Sequence, residues 1–407
     1  MKEISGGVCA PKGFRAGGIW CGIKAGSKKR DLGLIYSEKL CTAAAMFTTN
    51  IVKAASVIVS REHLADGKLR AVIANSGNAN ACTGEAGLRA SRRMAELTAE
   101  EFALRNEDVA VASTGVIGVP LPIAVIESAV TSLANSLQGD AAGHEAALEA
   151  IMTTDIRKKD GAVEVVIDGV TVKLGGMVKG SGMIHPNMAT MLCFITSDAA
   201  ISREMLDKAL RSAVKHSFNR VTVDGDTSTN DTILVMANGM AGNNLIDKDG
   251  PAYDAFAEAL ESLCVKMARA MARDGEGATK LVTVSVTGAA DEDTAEALAK
   301  SVASSSLVKA ACFGADANWG RVLCALGYAG KDFDPEKVDV SFSGDAGEIL
   351  VCRSGASVSF SEDEAKKILS AEEIGIKVSM GKGPGSAVAW GCDLSYDYVK
   401  INGDYRS

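Results

Sequence analysis

Long basic runs, paired cysteines and membrane-length apolar stretches are all missing from the 407 residues of this chain. The longest basic run is Lys28-Lys29-Arg30 and the formal net charge is −8, which argues against nucleic-acid binding because that function needs a basic stripe. The ten cysteines include no C-x-x-C pair, which argues against a zinc site and favours buried, reduced thiols. No apolar stretch could span a bilayer, and residues 1–7 contain no signal core. We therefore expect a soluble, cytoplasmic protein with neither nucleic acid nor membrane as a partner.

Histidine is also scarce, with four in the chain, and this removes the usual general base for a serine or cysteine nucleophile. His63, His144 and His216 lie in helix-like or surface-like contexts, whereas His185 lies in a glycine-containing loop. No Ser-His-Asp triad is readily assembled from them, so a hydroxyl nucleophile would need a different base. His185 could assist such chemistry, although a histidine in a loop more often makes structural hydrogen bonds.

Composition and periodicity indicate a globular α+β protein. Hydrophobic residues make up 47% of the chain and charged residues 23%, and its length favours two lobes over one. Residues 55–60 predict a strand, residues 87–104 predict an amphipathic helix, and Asp168-Gly169 predicts a hairpin turn. The C-terminal part is rich in predicted strands, of which residues 396–401 are the last. We therefore expect mostly antiparallel pairing.

One hydroxyl side chain, Thr190, stands where a glycine-punctuated loop meets a strand-like run over residues 191–196. A strand holds a nucleophile rigidly, whereas the loop can strain the bond that precedes it. If the Ala189–Thr190 bond broke, Thr190 would gain an α-amine with a pKa of about 7.7–8.0, which suits a general base for its own hydroxyl. The residues alone leave open the alternative that Thr190 simply begins a buried strand.

The segment around Thr190, KGSGMIHPNMATMLC (residues 179–193), resembles the self-cleavage and nucleophile segment of the ornithine acetyltransferase family. Its members are bifunctional glutamate N-acetyltransferases of arginine biosynthesis. Further blocks that resemble the family lie in the right order along nearly the whole chain: ANSGNANACTG (74–84), STGVIG (113–118), MTTD (152–155), DGDTSTND (224–231), RDGEGATK (273–280), FGADANWGR (313–321) and INGDYRS (401–407). A single block would be weak evidence, whereas a collinear series strongly indicates the family.

The resemblance implies a layered αββα-type sandwich core with a smaller, strand-rich C-terminal lobe, in a self-cleaved enzyme that resembles N-terminal-nucleophile enzymes. Thr190 Oγ would attack the Ala189 carbonyl carbon, the acyl group would move from nitrogen to oxygen, and water would hydrolyse the ester. The products would be an alpha chain of residues 1–189 and a beta chain of residues 190–407, with residues from about 290 to 407 contributing the second lobe. The family also suggests a heterotetramer of two alpha and two beta chains.

The implied reaction moves the acetyl group of N2-acetyl-L-ornithine to L-glutamate through an acetyl-Thr190 ester, a ping-pong course within cyclic arginine biosynthesis. Thr114 and Gly115 match the oxyanion-stabilising residues of the family. The residues that match its substrate-binding positions are Thr153, Lys179, Thr190, Glu276, Asn402 and Ser407. The assignment of Thr153 leaves its neighbour Thr154 open as the alternative. Ser407 stands where family members often end in Thr.

Few other ligands are expected. Lys179 could hold a substrate carboxylate, and Glu276 could receive an ammonium group. Family members can also take acetyl-CoA as the acetyl donor, and no residue decides whether this chain does; no other cofactor is expected. The acidic residues 224–231 offer oxygen ligands, but their spacing departs from the EF-hand loop and lacks its final glutamate, so no metal is expected.

Two other functions stay open at this level. An N-terminal-nucleophile aminopeptidase or amidase would share the Thr190 chemistry but pass the acyl group to water. A non-catalytic amino-acid-binding protein would stay as one uncleaved chain that binds acetylornithine without turnover. With excess glutamate, a transferase would make N-acetylglutamate, whereas a hydrolase would release only free acetate. Intact mass would identify the binding protein by its uncleaved chain.

Overall fold

The computed structural model of the protein describes residues 1–24, 26–185 and 191–404, which divide into two compact units. As far as these residues are described, unit 1 comprises Met1–Gly180, Asn187–Phe218 and Thr227–Met267, and unit 2 comprises Ser181–Pro186, Asn219–Asp226 and Ala268–Ser407. No helix in the described ranges has the length and apolar character needed to cross a membrane. The predicted alpha and beta chains, and a second lobe from about residue 290, stay predictions.

Unit 1 carries the first nine strands of the chain as described. They are β1 (Lys2–Ile4), β2 (Phe14–Ile19), β3 (Leu32–Phe47), β4 (Lys68–Asn78), β5 (Val109–Val116), β6 (Lys159–Ile167), β7 (Val170–Lys179), β8 (Leu192–Ser197) and β9 (Thr232–Ala237). Its helices are α1 (Ala55–His63), α2 (Gly84–Phe102), α3 (Ile123–Asn135), α4 (Ala141–Ile151) and α5 (Arg203–Lys215). Helix α6 (Pro251–Arg273) begins in unit 1 and ends in unit 2.

Within the described ranges, the strands of unit 1 form one sheet in the order β1-β6-β7-β8-β9-β3-β4-β5, with β2 beside β3. Strand β3 has 16 residues and joins two halves of the sheet, because its first part pairs with β4 and its last part pairs with β9. The two halves share one core, in which Val72 of β4 lies in the same cluster as Phe194 of β8 and Met236 of β9.

Helices cover the outer faces of both halves. Successive strand residues point to opposite faces, so Ile73 of β4 turns away from that core and packs in a cluster with Met94 of α2 and Ile126 of α3. On the other half, Gly176 of β7 allows close approach of α6, because a Cβ there would lie 2.9 Å from Cε of Met267. Helix, sheet, sheet and helix therefore stack in that order, and the predicted αββα-type sandwich is confirmed.

The β6–β7 hairpin turns at the two residues that the sequence predicts. Ile167 pairs with Val170, and the two residues between them, Asp168 and Gly169, have φ angles of 49° and 81°. Two successive positive φ angles are the requirement of the two-residue turn that Asp-Gly favours. The predicted hairpin is confirmed, as is the helix predicted over residues 87–104, which the structure places at Gly84–Phe102.

The strand predicted over residues 55–60 is wrong, because this segment is helical and begins α1. Its β-branched residues favour a strand by propensity. In the helix, however, Ser60 Oγ donates to the Val111 carbonyl oxygen at 2.7 Å and accepts from the Val111 N–H at 2.8 Å. The helix also buries Val57 and Val59 almost completely, and Val59 lies in one cluster with Val109 of β5. Tertiary contacts therefore override the local preference.

Unit 2 contains a second sheet. Its strands, in the order β13-β12-β11-β14-β10-β15 among the described residues, are β10 (Leu281–Ala289), β11 (Asp339–Gly344), β12 (Gly347–Arg353), β13 (Ala356–Ser357), β14 (Glu373–Ser379) and β15 (Gly385–Cys392). Its helices are α7 (Glu292–Ser304), α8 (Ser306–Phe313), α9 (Trp319–Gly327), α10 (Glu362–Leu369) and α11 (Tyr396–Gly403). One core joins Val284 of β10, Leu298 of α7 and Ile376 of β14. The unit is rich in strands, as expected for the C-terminal lobe.

The last predicted strand, residues 396–401, is wrong because this segment forms most of α11. Tyr396 and Val399 are largely exposed, so the apolar residues of the segment mark no buried strand face. The Asn402 amide of α11 instead donates to the carbonyl oxygen of Tyr398, one turn earlier.

Candidate active site

Three of the predicted site residues, Ala189, Thr190 and Ser407, lie outside the described residues. The strands on either side of the predicted cleavage segment are described. Strand β7 ends at Lys179, strand β8 begins at Leu192, and these two residues are register partners. The chain therefore leaves the sheet and rejoins it at the same position along the β7–β8 pair.

Met191, the residue that follows Thr190 in the sequence, is held through both its N–H and its carbonyl oxygen. Its N–H donates to Oδ1 of Asp231 at 3.0 Å, and its carbonyl oxygen accepts from the Thr232 N–H at 3.0 Å. Burial raises the pKa of the Asp231 carboxyl well above its ordinary value, although the Met191 N–H and the Lys179 ammonium act in the opposite direction. The Asp231 side chain therefore favours its neutral, protonated form, and it anchors the start of β8.

Thr114 and Lys179 meet in the interior of unit 1. The ammonium group of Lys179 donates to Oγ1 of Thr114 at 3.3 Å, and the two residues are 3% and 4% exposed, respectively. A hydroxyl that accepts one hydrogen bond still has its own hydrogen to donate. Thr114 is thus a hydroxyl donor at the end of β5, oriented by a buried cation.

Position 115 requires glycine both because of its backbone conformation and because a side chain would not fit there. Its φ angle is +134°, which side chains rarely adopt, and a Cβ there would lie 2.3 Å from the carbonyl carbon of Gly77 in β4. Asn230 ties the same two strand ends together, because its Nδ2 donates to the carbonyl oxygens of Ala79 and Ser113, each at 2.7 Å. The turn that carries Thr114 and Gly115 is therefore held rigidly.

Thr153 is joined to the end of β7 through Asp155. The Thr153 N–H donates to Oδ2 of Asp155 at 2.9 Å, and the Gly180 N–H donates to Oδ1 at 2.7 Å. The Lys159 ammonium contacts Oδ1 at 2.7 Å. Unit 1 thus brings together Thr114, Gly115, Thr153 and Lys179, four of the residues predicted from the sequence.

A cavity of about 780 Å³ in unit 1 includes Thr153 in its wall. Basic residues outnumber acids in that wall, whose charged members are Lys24, Lys28, Lys29, Arg30 and Lys158 beside Glu149 and Asp155. The cavity therefore suits a ligand that carries negative charge.

Glu276 and Asn402 are brought together in unit 2. Asn402 Nδ2 donates to Oε2 of Glu276 at 2.9 Å, and the Glu276 N–H donates to the Ser181 carbonyl oxygen at 2.8 Å. Glu276 is 8% exposed, and a Cβ at Gly182 would lie 2.2 Å from its Oε2. Glycine at 182 therefore leaves room for this carboxylate.

The loop before the predicted cleavage site is anchored in unit 2 by a second acid. Asp224 accepts hydrogen bonds from the N–H groups of Met183 and Ile184, at 2.5 and 2.9 Å. Nδ1 of His185 lies 3.3 Å from Thr222 Oγ1, and burial lowers the pKa of this histidine, which favours its neutral form. No group of three or more His, Cys, Asp or Glu side chains arranged to hold a metal is found within the described ranges.

Sequence reasoning assigned no role to Asp155 and considered Asp231 and Asn230 only as oxygen ligands for a metal. The buried carboxylates of both acids accept main-chain N–H groups beside predicted site residues. Their positions next to the Thr-Thr pair and at the end of the acidic stretch were the available signal. The sequence could not give the contact partners, which lie up to 40 residues away.

The family model described as the ArgJ family matches residues 15–407 of this chain. The arginine biosynthesis bifunctional protein ArgJ of Symbiobacterium thermophilum is 51% identical over 408 residues, which cover 100% of both chains. The protein of the same name from Caldanaerobacter subterraneus subsp. tengcongensis is 50% identical over 407 residues, again 100% of both. A crystal structure of ornithine acetyltransferase from Mycobacterium tuberculosis, complexed with ornithine, is 40% identical and covers 46% of this chain and 96% of that one, with a TM-score of 0.42. The family model and the two full-length relatives confirm the resemblance seen in the sequence: the chain belongs to the ArgJ family.

Proposed function

We propose that this chain, an acetyltransferase of arginine biosynthesis by its family, moves the acetyl group of N2-acetyl-L-ornithine to L-glutamate. Thr190, freed by cleavage of the Ala189–Thr190 bond, uses its α-amine as general base for its own hydroxyl. Its Oγ attacks the acetyl carbonyl carbon, the C–N bond breaks, and ornithine leaves with the proton. The amine of glutamate then attacks the acetyl-Thr190 ester, so that N-acetylglutamate leaves and the hydroxyl is restored.

The observation that carries this proposal is the hydrogen bond from Lys179 to Thr114. The tetrahedral intermediate of acyl transfer needs donors aimed at its oxyanion, and each such donor contributes about 10²–10³ in rate. Because Thr114 Oγ1 already accepts from Lys179, its own hydrogen is available to an oxyanion. The Gly115 N–H is the proposed second donor.

Substrate recognition is proposed for the remaining predicted residues. The three N–H donors of the Lys179 ammonium allow it to bind Thr114 and a substrate carboxylate at the same time. In unit 2, the Glu276 carboxylate, held by Asn402, is the proposed partner of a substrate ammonium group. Thr153 and Ser407 are the further proposed contacts.

The first experiment is intact mass under denaturing conditions, followed by an acetyl-transfer assay on the same preparation. We expect two fragments that split between Ala189 and Thr190, and N-acetylglutamate when acetylornithine and glutamate are both present. Thr190→Ala should stay uncut and inactive, whereas Thr190→Ser, which keeps a hydroxyl, should retain cleavage. Free acetate without N-acetylglutamate would instead indicate a hydrolase, and an uncut wild-type chain without turnover would indicate a binding protein.

Two further measurements test the proposed donor and the proposed assembly. Replacing acetylornithine by acetyl-CoA tests whether the chain uses a second donor, and no other cofactor is proposed. The native mass of the cleaved protein tests the proposed heterotetramer of two alpha and two beta chains. We propose the cytoplasm as the site of action, consistent with a pathway that makes an amino acid from soluble intermediates.

A further inference from the structure

Asp155 joins three segments of unit 1 through a carboxylate whose side chain has no exposed surface. Its Oδ2 accepts the Thr153 N–H, and its Oδ1 accepts the N–H of Gly180, the residue after Lys179. The Lys159 ammonium contacts the same Oδ1. One buried carboxylate therefore fixes the main chain beside two proposed substrate-binding residues, Thr153 and Lys179.

The charges around Asp155 depend on one another. Burial opposes ionisation of its carboxyl, but the ammonium groups of Lys179 and Lys159 outweigh burial and hold the pKa of Asp155 below its usual range. The two lysines are 3% and 1% exposed, so each is an ammonium group withdrawn from water. Removal of the carboxylate would leave these two cations buried without their shared counter-charge, which is strongly unfavourable.

The same part of unit 1 has an excess of positive charge. Lys24, in the cavity wall with Thr153, has a pKa lowered to about 8, first by burial and in part by Lys29 and Lys179, while Asp31 and Asp155 act in the opposite direction. A group that carries a carboxylate, as both proposed amino-acid substrates do, would supply the missing negative charge. The arrangement favours binding of that group over an amine or a neutral group.

We infer that Asp155 is a positioning residue for acetyl transfer, which holds Lys179 aimed at Thr114 and at the α-carboxylate shared by donor and acceptor. This inference rests on the proposed function. Asp155 takes no proton and makes no bond to substrate. It acts through the position and the charge of Lys179.

The test compares the full-length chain with Asp155→Asn, which keeps the shape and removes the charge. We expect KM for both N2-acetyl-L-ornithine and L-glutamate to rise about tenfold or more, with a smaller change in kcat, because a buried cation loses its partner. Asp155→Glu, which restores the negative charge, should recover part of the lost KM.

Lys159→Met is the matched variant, because it removes a cation and keeps the carboxylate. Asp155 then keeps its contacts with the N–H groups of Thr153 and Gly180, so we expect smaller changes in KM than in Asp155→Asn. Unchanged KM values in a folded, self-cleaved Asp155→Asn protein would overturn the inference, as would a fall in kcat alone. If that variant does not fold, Asp155→Glu decides, because it keeps the charge but displaces the carboxylate by one methylene group: wild-type values of KM and kcat, or a fall in kcat alone, would overturn the inference. A wild-type chain that makes no N-acetylglutamate would contradict the proposed function instead.

Discussion

Asp231 accepts the N–H of Met191 through Oδ1 at 3.0 Å, and its carboxyl group has no exposed surface. The residue that precedes Met191 in the sequence is the proposed nucleophile, Thr190. A buried acid therefore holds the main chain at the first described residue after the proposed cleavage site.

The Asp231 carboxyl should make stability depend on pH with a definite sign. An unfolded aspartate has a pKa of about 3.9, and burial raises the folded value well above it. The folded state then binds the proton more tightly, so the contribution of this group to the free energy of unfolding is largest below the unfolded pKa. It is lost as pH rises towards the folded pKa.

Asp231→Asn cannot titrate and should lack this loss. We expect the difference in free energy of unfolding between the Asn variant and its parent to shift in favour of Asn as pH rises from 4 to 8. Urea midpoints at several pH values measure it, with both chains in a Thr190→Ala background so that neither is cleaved. A difference that stays constant across this range would contradict the raised pKa.

Self-cleavage should depend on the hydrogen bond from Met191 to Asp231. Asp231→Ala leaves the Met191 N–H buried without an acceptor, which costs about 1–3 kcal/mol and loosens the start of β8. We therefore expect slow or incomplete cleavage in Asp231→Ala, followed as intact mass against time after synthesis. Asp231→Asn keeps an acceptor oxygen and should cleave faster than the Ala variant; equal rates in the two would show that the hydrogen bond does not matter.

Thr114 should be needed for its hydroxyl and not for its shape. Thr114→Val keeps the volume but removes the donor proposed for the oxyanion, so we expect kcat to fall by about 10²–10³. Thr114→Ser keeps the hydroxyl and should retain most of kcat. Steady-state kinetics on the self-cleaved proteins measure both, and a Val variant as active as the Ser variant would rule out the hydroxyl as a donor.

The fold follows from sequence patterns where local and tertiary preferences agree. The Asp168-Gly169 hairpin has its turn residues and alternating strands side by side in the sequence, so the pattern specifies it. The helix at α1 could not be predicted in this way, because its β-branched residues favour a strand and Val111, the partner of Ser60, lies 51 residues away.

The same distinction between local patterns and tertiary contacts applies to the candidate site. Thr114, Thr153 and Lys179 could be named from short blocks that resemble a known family. Asp155 lies in one of these blocks, but its role could not be predicted from it. Its contact with Gly180, 25 residues further along the chain, exists only once β6 and β7 have paired.

Glu276 should bind its substrate group through charge. Asn402 Nδ2 donates to Oε2 of Glu276, and a glutamine at 276 still offers an oxygen to accept this bond. Glu276→Gln therefore removes the charge and keeps the contact, whereas Asn402→Ala removes the contact and keeps the charge. Because a hydrogen bond to a charged group contributes about 1.5–3 kcal/mol, we expect KM to rise about 10- to 100-fold in Glu276→Gln and by less in Asn402→Ala. Steady-state kinetics with acetylornithine and glutamate varied in turn measure both KM values, and the reverse order would mean that Asn402, and not the charge of Glu276, dominates binding.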